Sequence, residues 1–179
     1  MSGFSADWLA LRASADRRAR APSLLAVVRR RFRLRGERRT PLRVADLGAG
    51  TGSTLQLLAP LLPAAQHWTL LDDDAALLAA VVRPPTPRPI MVRPVRVDLA
   101  DARVLEALLR GAELITASAL LDLVSPRWCR RLIAAAARPD VVLYAALTYD
   151  GRMALDPADP LDDTVHALFD RHQRRDKGF

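Results

Sequence analysis

The residues in this chain best suited to chemistry are three glycines and three acids. Gly48, Gly50 and Gly52 recur at alternate positions in Val44-Ala45-Asp46-Leu47-Gly48-Ala49-Gly50-Thr51-Gly52-Ser53. Glycine has no Cβ and tolerates positive φ, so a turn of this kind lets backbone approach a ligand closely. The first N–H groups of a helix starting just beyond it lack intrahelical partners and can face that ligand. Asp46 stands two residues before the first glycine. Asp72 and Asp98 each close a short run, His67-Trp68-Thr69-Leu70-Leu71-Asp72 and Val95-Arg96-Val97-Asp98.

Positioning these residues requires alternating strands and helices. Leu42 to Leu47 reads as a buried strand, followed by the glycine turn and a helix from about Thr54 to Leu62, distorted by Pro60. Thr51 or Ser53 is the expected cap of that helix. Strand two is expected over Trp68–Leu71, with Trp68 in the core, and helix two over Asp74–Val82. Asp73 or Asp74 is the expected cap there, which leaves Asp72 for a ligand. Arg83-Pro84-Pro85-Thr86-Pro87-Arg88-Pro89 has too many prolines for helix or ladder and reads as an extended loop. Strand three follows over Met91–Val97, where Pro94 favours a late start. Then come a helix at 102–109 stopped by Gly111, strand four at 113–117, a helix at 126–137 capped by Ser125, strand five at 141–147 and a last helix over 161–174. Ahead of the first strand, residues 8–20 read as a helix with an apolar face at Trp8, Leu11 and Ala15, and Ser23 reads as the cap of a second helix ending at Phe32.

The acid, apolar residue and Gly-x-Gly-x-Gly of Asp46 to Gly52 resemble motif I of the class I S-adenosylmethionine-dependent methyltransferases. Acids closing strands two and three extend the resemblance, which covers about residues 8–174. It implies an α/β Rossmann-like three-layer sandwich with a mostly parallel sheet and N-terminal helices over the cofactor and substrate mouth. It implies S-adenosylmethionine as cofactor and S-adenosylhomocysteine as product. Gly48, Ala49, Gly50 and Gly52 would flank the methionine part, and Asp46 would hold the loop and the cofactor amino group. Asp72 would take the ribose hydroxyls, and Asp73 would lie beside the adenine, at a position usually apolar in the family. Asp98 would accept from the adenine amino group with the Leu99 backbone nearby, and Ser118 and Ala119 would border the methyl group. A guanidinium binds carboxylates well, which nominates Arg20, then Arg12, for the cofactor carboxylate. If the acceptor needs a base, the candidates are Asp122, Tyr149 and Asp150. His166 and His172, on the last helix, are more often surface or packing residues. No metal is required.

The family's sheet has seven strands and five are visible, so the expectation is a chain lacking its last two strands, or one whose fifth strand is an open edge. Residues 1–43 are expected to be a helical cap of the same domain and 44–179 its core. Two other ligand readings stay open: a nicotinamide Rossmann domain, whose fingerprint is spaced Gly-x-Gly-x-x-Gly, and a purely structural turn.

The formal charge is +7 over 179 residues and is unevenly placed: residues 1–43 carry twelve arginines against three acids, and the remainder is net acidic. Lys177 is the only lysine, so the arginines look like the coding bias of a GC-rich bacterial genome. That weakens the charge as an argument for nucleic acid. The segment 116–124 lacks the Asn-Pro-Pro-aromatic motif of many methyltransferases that act on amino groups of nucleic acids and proteins. A small-molecule acceptor is therefore expected. The alternative is an RNA methyltransferase, or a noncatalytic RNA-associated module using the basic N-terminus. No membrane span or signal peptide is visible, and the single Cys129 makes neither an internal disulfide nor a zinc site alone. The cytoplasm is the default location.

Overall fold

The computed structural model describes residues 5–34, 40–147, 149 and 151–175. Five parallel strands form one sheet: β1 (Leu42–Leu47), β2 (Gln66–Asp72), β3 (Ile90–Arg96), β4 (Leu114–Ser118) and β5 (Val142–Ala146). Their order is β3-β2-β1-β4-β5. The helices are α1 (Ala6–Ala19), α2 (Pro22–Arg31), α3 (Ser53–Leu58, continued by a 3-10 turn through Leu61), α4 (Ala75–Ala79), α5 (Ala102–Leu109), α6 (Pro126–Ala136) and α7 (Asp162–Gln173). This is an α/β, Rossmann-like three-layer fold. No helix among the described residues is long and apolar enough to cross a membrane.

Parallel strands are covered on both faces, so they carry apolar residues on both. Alternation assigns each residue to a layer. Leu42, Val44, Trp68, Leu70 and Leu114 pack with Val28 and Phe32 at the end of α2, Leu55 and Leu58 of α3, and Leu78 of α4. Ala45, Leu47, Leu71, Ile115 and Ala117 face the other way, onto Leu105 and Leu109 of α5 and Trp128 and Leu132 of α6. The Trp128 indole donates to the Leu99 carbonyl at 2.7 Å, so α6 fixes the chain leaving β3.

Several local expectations are corrected. β3 begins at Ile90 and keeps Pro94 in its interior, opposite Leu70 of β2. The missing N–H is tolerated because, among the described residues, β3 pairs on one side only. β2 starts two residues early because Gln66 is buried and satisfied: it donates to the Ala59 carbonyl at 2.9 Å and accepts from the Trp68 indole at 2.7 Å. Helix α2 starts with Pro22 at its first turn, without a Ser23 cap. Helix α1 buries none of its residues, and Trp8 and Leu11 are exposed rather than forming its contact face. Among the described residues β5 pairs only with β4, on one side.

Candidate functional site

The glycine loop leaves β1 at the carboxyl edge of the sheet. Gly48, Gly50 and Gly52 have φ of 62°, 52° and 83°, all in the left-handed region. A Cβ at Gly48 would stand 3.3 Å from Leu120, at Gly50 3.3 Å from Leu9 of α1, and at Gly52 3.2 Å from Val81. Both conformation and close approach therefore call for glycine. Gly52 itself is the N-cap of α3, and neither Thr51 nor Ser53 caps it, because left-handed backbone at Gly52 starts the helix without a side-chain acceptor. The loop is held from β2. The Asp72 carboxylate accepts from the Gly50 N–H at 2.7 Å through Oδ2 and from the Asp74 N–H at 3.0 Å through Oδ1. Asp74 caps α4, accepting from the N–H groups of Ala76 and Leu77. Burial raises the Asp72 pKa, and these two backbone donors oppose the rise.

Beneath the loop lies a buried polar group. Asp46, 1% exposed, pairs across the β1–β4 ladder with Thr116, whose hydroxyl donates to Asp46 Oδ1 at 2.6 Å. Asp46 Oδ2 has no hydrogen-bond partner. Desolvation pushes the Asp46 pKa up to about 7, against the Thr116 hydrogen bond and the positive charge of Arg20. Arg20 follows α1 and is only 4% exposed. Its Nη2 donates to Ser118 Oγ at 2.8 Å and to Thr54 Oγ1 at 3.4 Å, and its Nη1 has no partner. One guanidinium thus joins the chain between α1 and α2 to the end of β4 and the start of α3.

A cavity of about 180 Å³ lies between the exits of β1 and β4, lined by Gly48 to Thr51, Arg20, Ser118, Ala119 and Leu147. Helix α1 roofs it with Leu9, Ala13 and the ion pair Arg12–Asp16, whose Nε and Oδ2 are 2.9 Å apart. Ala119 and Leu147 have φ of 52° and 57°, a strained conformation for residues with side chains. Both sit just past a strand end, on the wall of this cavity. The strand order reverses between β1 and β4, where open α/β sheets bind ligands. On the other side of the loop, a groove of about 660 Å³ opens between the exits of β2 and β3, lined by Asp73 to Ala76 and Arg96 to Asp98.

The predicted residues thus divide among several places. Arg20, Gly48, Ala49, Gly50, Ser118 and Ala119 converge on the first cavity, with Arg12 in its roof. Asp73 and Asp98 line the second groove, where Asp98 also accepts from the Ala100 N–H at 2.8 Å. Asp46, Gly52, Asp72 and Leu99 stand behind these surfaces as supports. Asp122 and Tyr149 line neither. The Tyr149 hydroxyl donates to Asp170 at 2.8 Å and lies 3.0 Å from His166 Nε2, which ties α7 to the chain beyond β5. Asp150 lies outside the described residues. Thr116, Thr54 and Leu9 were not anticipated. A lone threonine in the otherwise apolar run Leu114–Ala117 is a signal that could have found Thr116. No protein-family model matches the chain, and no curated protein matches it.

Proposed function

We propose that this protein is an S-adenosylmethionine-dependent methyltransferase acting on a small-molecule acceptor. The observation that carries this reading is the glycine loop at the reversal of strand order, with a cavity on one side and a groove on the other. A ligand with an amino-acid end and a nucleoside end would run across the loop from one to the other.

The residues fit such a ligand. Arg20 lines the cavity with a buried guanidinium nitrogen that has no partner, which suits a carboxylate. Asp46 lies behind the loop with an unpartnered oxygen, which suits a positive charge nearby. At Gly48, Gly50 and Gly52 the backbone can pass close to the ligand, where a Cβ would crowd its neighbours. Asp72 already accepts one N–H on each oxygen, and each oxygen retains a second lone pair for a ribose hydroxyl. Small ligands occupy pockets of about 300–1,000 Å³, and the cavity of about 180 Å³ together with the groove of about 660 Å³ offers space of that order for the two ends of the ligand.

When bound, the cofactor supplies a methyl group made electrophilic by its sulfonium. The chain then has to hold a nucleophile in line with that methyl and keep water out. Ser118 and Ala119, at the end of β4, border the place where the acceptor would stand. Tyr149, engaged with Asp170 and His166, serves to anchor α7 in this reading rather than to act as a base.

A second reading rests on the exposed arginines Arg17, Arg18, Arg29, Arg30, Arg31 and Arg33 along α1, α2 and the turn after it. This row suits RNA and predicts binding that falls steeply with salt, with a slope that shrinks as arginines are removed. Absent or salt-insensitive RNA binding eliminates it. The test of the main reading is calorimetric titration with S-adenosylhomocysteine, with NAD as control. Binding of S-adenosylhomocysteine alone is expected, and Asp72→Ala abolishes it. Binding of NAD alone, or of neither, overturns the reading, and unchanged affinity in Asp72→Ala removes the ribose assignment.

A further inference from the structure

The groove between the exits of β2 and β3 has an unusual wall. Its described lining is three acids, Asp73, Asp74 and Asp98, three small aliphatic residues, Ala75, Ala76 and Val97, and one cation, Arg96. None of these is aromatic, and Asp73 stands where the proposed family usually offers an apolar contact to a base. Three carboxylates repel phosphate, so the groove disfavours nucleotides and tolerates an uncharged ring. Arg96 is the last residue of β3, opposite Asp72 in the ladder, and the Val97 N–H donates to the Asp72 carbonyl at 2.8 Å. Its own Nε donates to the Asp73 carbonyl at 3.0 Å. Because a guanidinium is planar and includes Nε, that bond restricts the orientation of the whole plane. A fixed guanidinium is a good stacking partner for a nucleobase.

We infer that Arg96 is the platform against which a purine nucleoside stacks in this groove, replacing the apolar contact that Asp73 cannot make. The inference rests on the proposed cofactor reading, and it adds that the ligand's base is held by a cation and that a free nucleoside is preferred over its phosphates.

The experiment is calorimetric titration of the full chain and of Arg96→Ala and Arg96→Lys with S-adenosylhomocysteine, adenosine, AMP and methionine. Arg96 is exposed on an edge strand, so unfolding midpoints of both variants should match the parent. Loss of stacking weakens S-adenosylhomocysteine and adenosine about tenfold or more in both variants. Lysine fails as alanine does because it keeps the charge and loses the plane. Methionine, which lacks the base, binds all three proteins equally, and AMP binds the parent more weakly than adenosine. Equal affinity for S-adenosylhomocysteine in parent and Arg96→Ala overturns the inference and leaves the cofactor reading intact, as does full rescue by lysine. If the parent ignores S-adenosylhomocysteine but binds adenosine through Arg96, the platform stands and the methyltransferase reading falls. If the parent binds neither, both fall.

Discussion

Replacing Asp46 with asparagine should make the protein more stable at neutral and alkaline pH, and the size of the gain follows from its burial. Asp46 is 1% exposed, so solvent screens its charge little. Its pKa stands at about 7 against an ordinary value of 3.8, with desolvation the largest cause. Below about pH 4 the carboxyl is protonated in both folded and unfolded chains and contributes no pH dependence. Between about pH 4 and 7 the unfolded chain gives up this proton while the folded one keeps it, so stability falls as pH rises. Above about pH 7 both are ionised and the loss is complete. A shift of roughly three units corresponds to about 4 kcal/mol, a large share of the roughly 5–15 kcal/mol that holds a domain together. Asparagine mimics the protonated acid and keeps an acceptor for the Thr116 hydroxyl. Urea unfolding of both proteins from pH 4 to 8.5 should give curves that meet near pH 4 and diverge by up to about 4 kcal/mol at pH 8, with the variant the more stable. Repulsion from Asp72 is the smallest of the causes named for the shift, and asparagine removes it together with the buried charge. Parallel curves, or a variant less stable at pH 8, would refute the reasoning, because they would mean that ionised Asp46 is better compensated than its surroundings indicate.

Gly52→Ala places a Cβ at φ 83°, 3.2 Å from Val81, and should cost on the order of 1–3 kcal/mol in urea unfolding; an unchanged midpoint would show that the loop relaxes freely. Gln66→Leu removes the acceptor of the Trp68 indole and the donor to the Ala59 carbonyl, both buried, and should cost roughly 2–3 kcal/mol; a neutral result by thermal unfolding would mean that the interior repacks around two unmatched groups. If a ligand ammonium sits beside Asp46, S-adenosylhomocysteine affinity should rise with pH until about 7 and then level, because ionised Asp46 attracts it. Asp46→Asn should flatten that profile, and a parent profile that falls with pH would remove the contact.

Much of the fold could be read from short-range pattern. Leu42–Leu47 ends in a glycine turn, Ser125 and Pro126 announce α6, and Gly111 stops the chain after α5, each through local backbone chemistry. The misses have tertiary causes. Pro94 sits inside β3 because that strand is an edge, which the order of the sheet decides. Gln66 extends β2 because Ala59 and Trp68 satisfy its amide, and no local rule shows that they will be near. Leu9, rather than Trp8 or Leu11, meets the loop because Gly50 leaves room for it. Within the candidate site, the glycines and Arg20 were legible by chemistry. The second half of each arrangement was not: Thr116 for Asp46, Thr54 and Ser118 for Arg20, and the Gly50 N–H for Asp72. These partners are distant in sequence and meet only when the sheet and the elements around it assemble.

The local violations of ordinary folding rules gather at one edge of the sheet. Two buried polar atoms without partners, Arg20 Nη1 and Asp46 Oδ2, belong to residues beside or beneath the glycine loop. Two residues with side chains, Ala119 and Leu147, adopt left-handed backbone on the wall of the same cavity. Each departure costs stability, and ordinary substitutions would lessen the cost: glycine at 119 removes the backbone strain there, and asparagine at 46 removes the buried charge. Among the described residues, the opposite edge of the sheet, where β1 and β2 begin, carries no such features: Leu42 and Gln66 are both fully buried, and the Gln66 amide is satisfied. Core packing alone has no reason to concentrate strain and unmatched polar groups on one side. A site that must meet a charged ligand does, because groups left without partners in the empty protein are those a ligand can complete. That asymmetry supports a ligand at this edge independently of the spacing of the glycines.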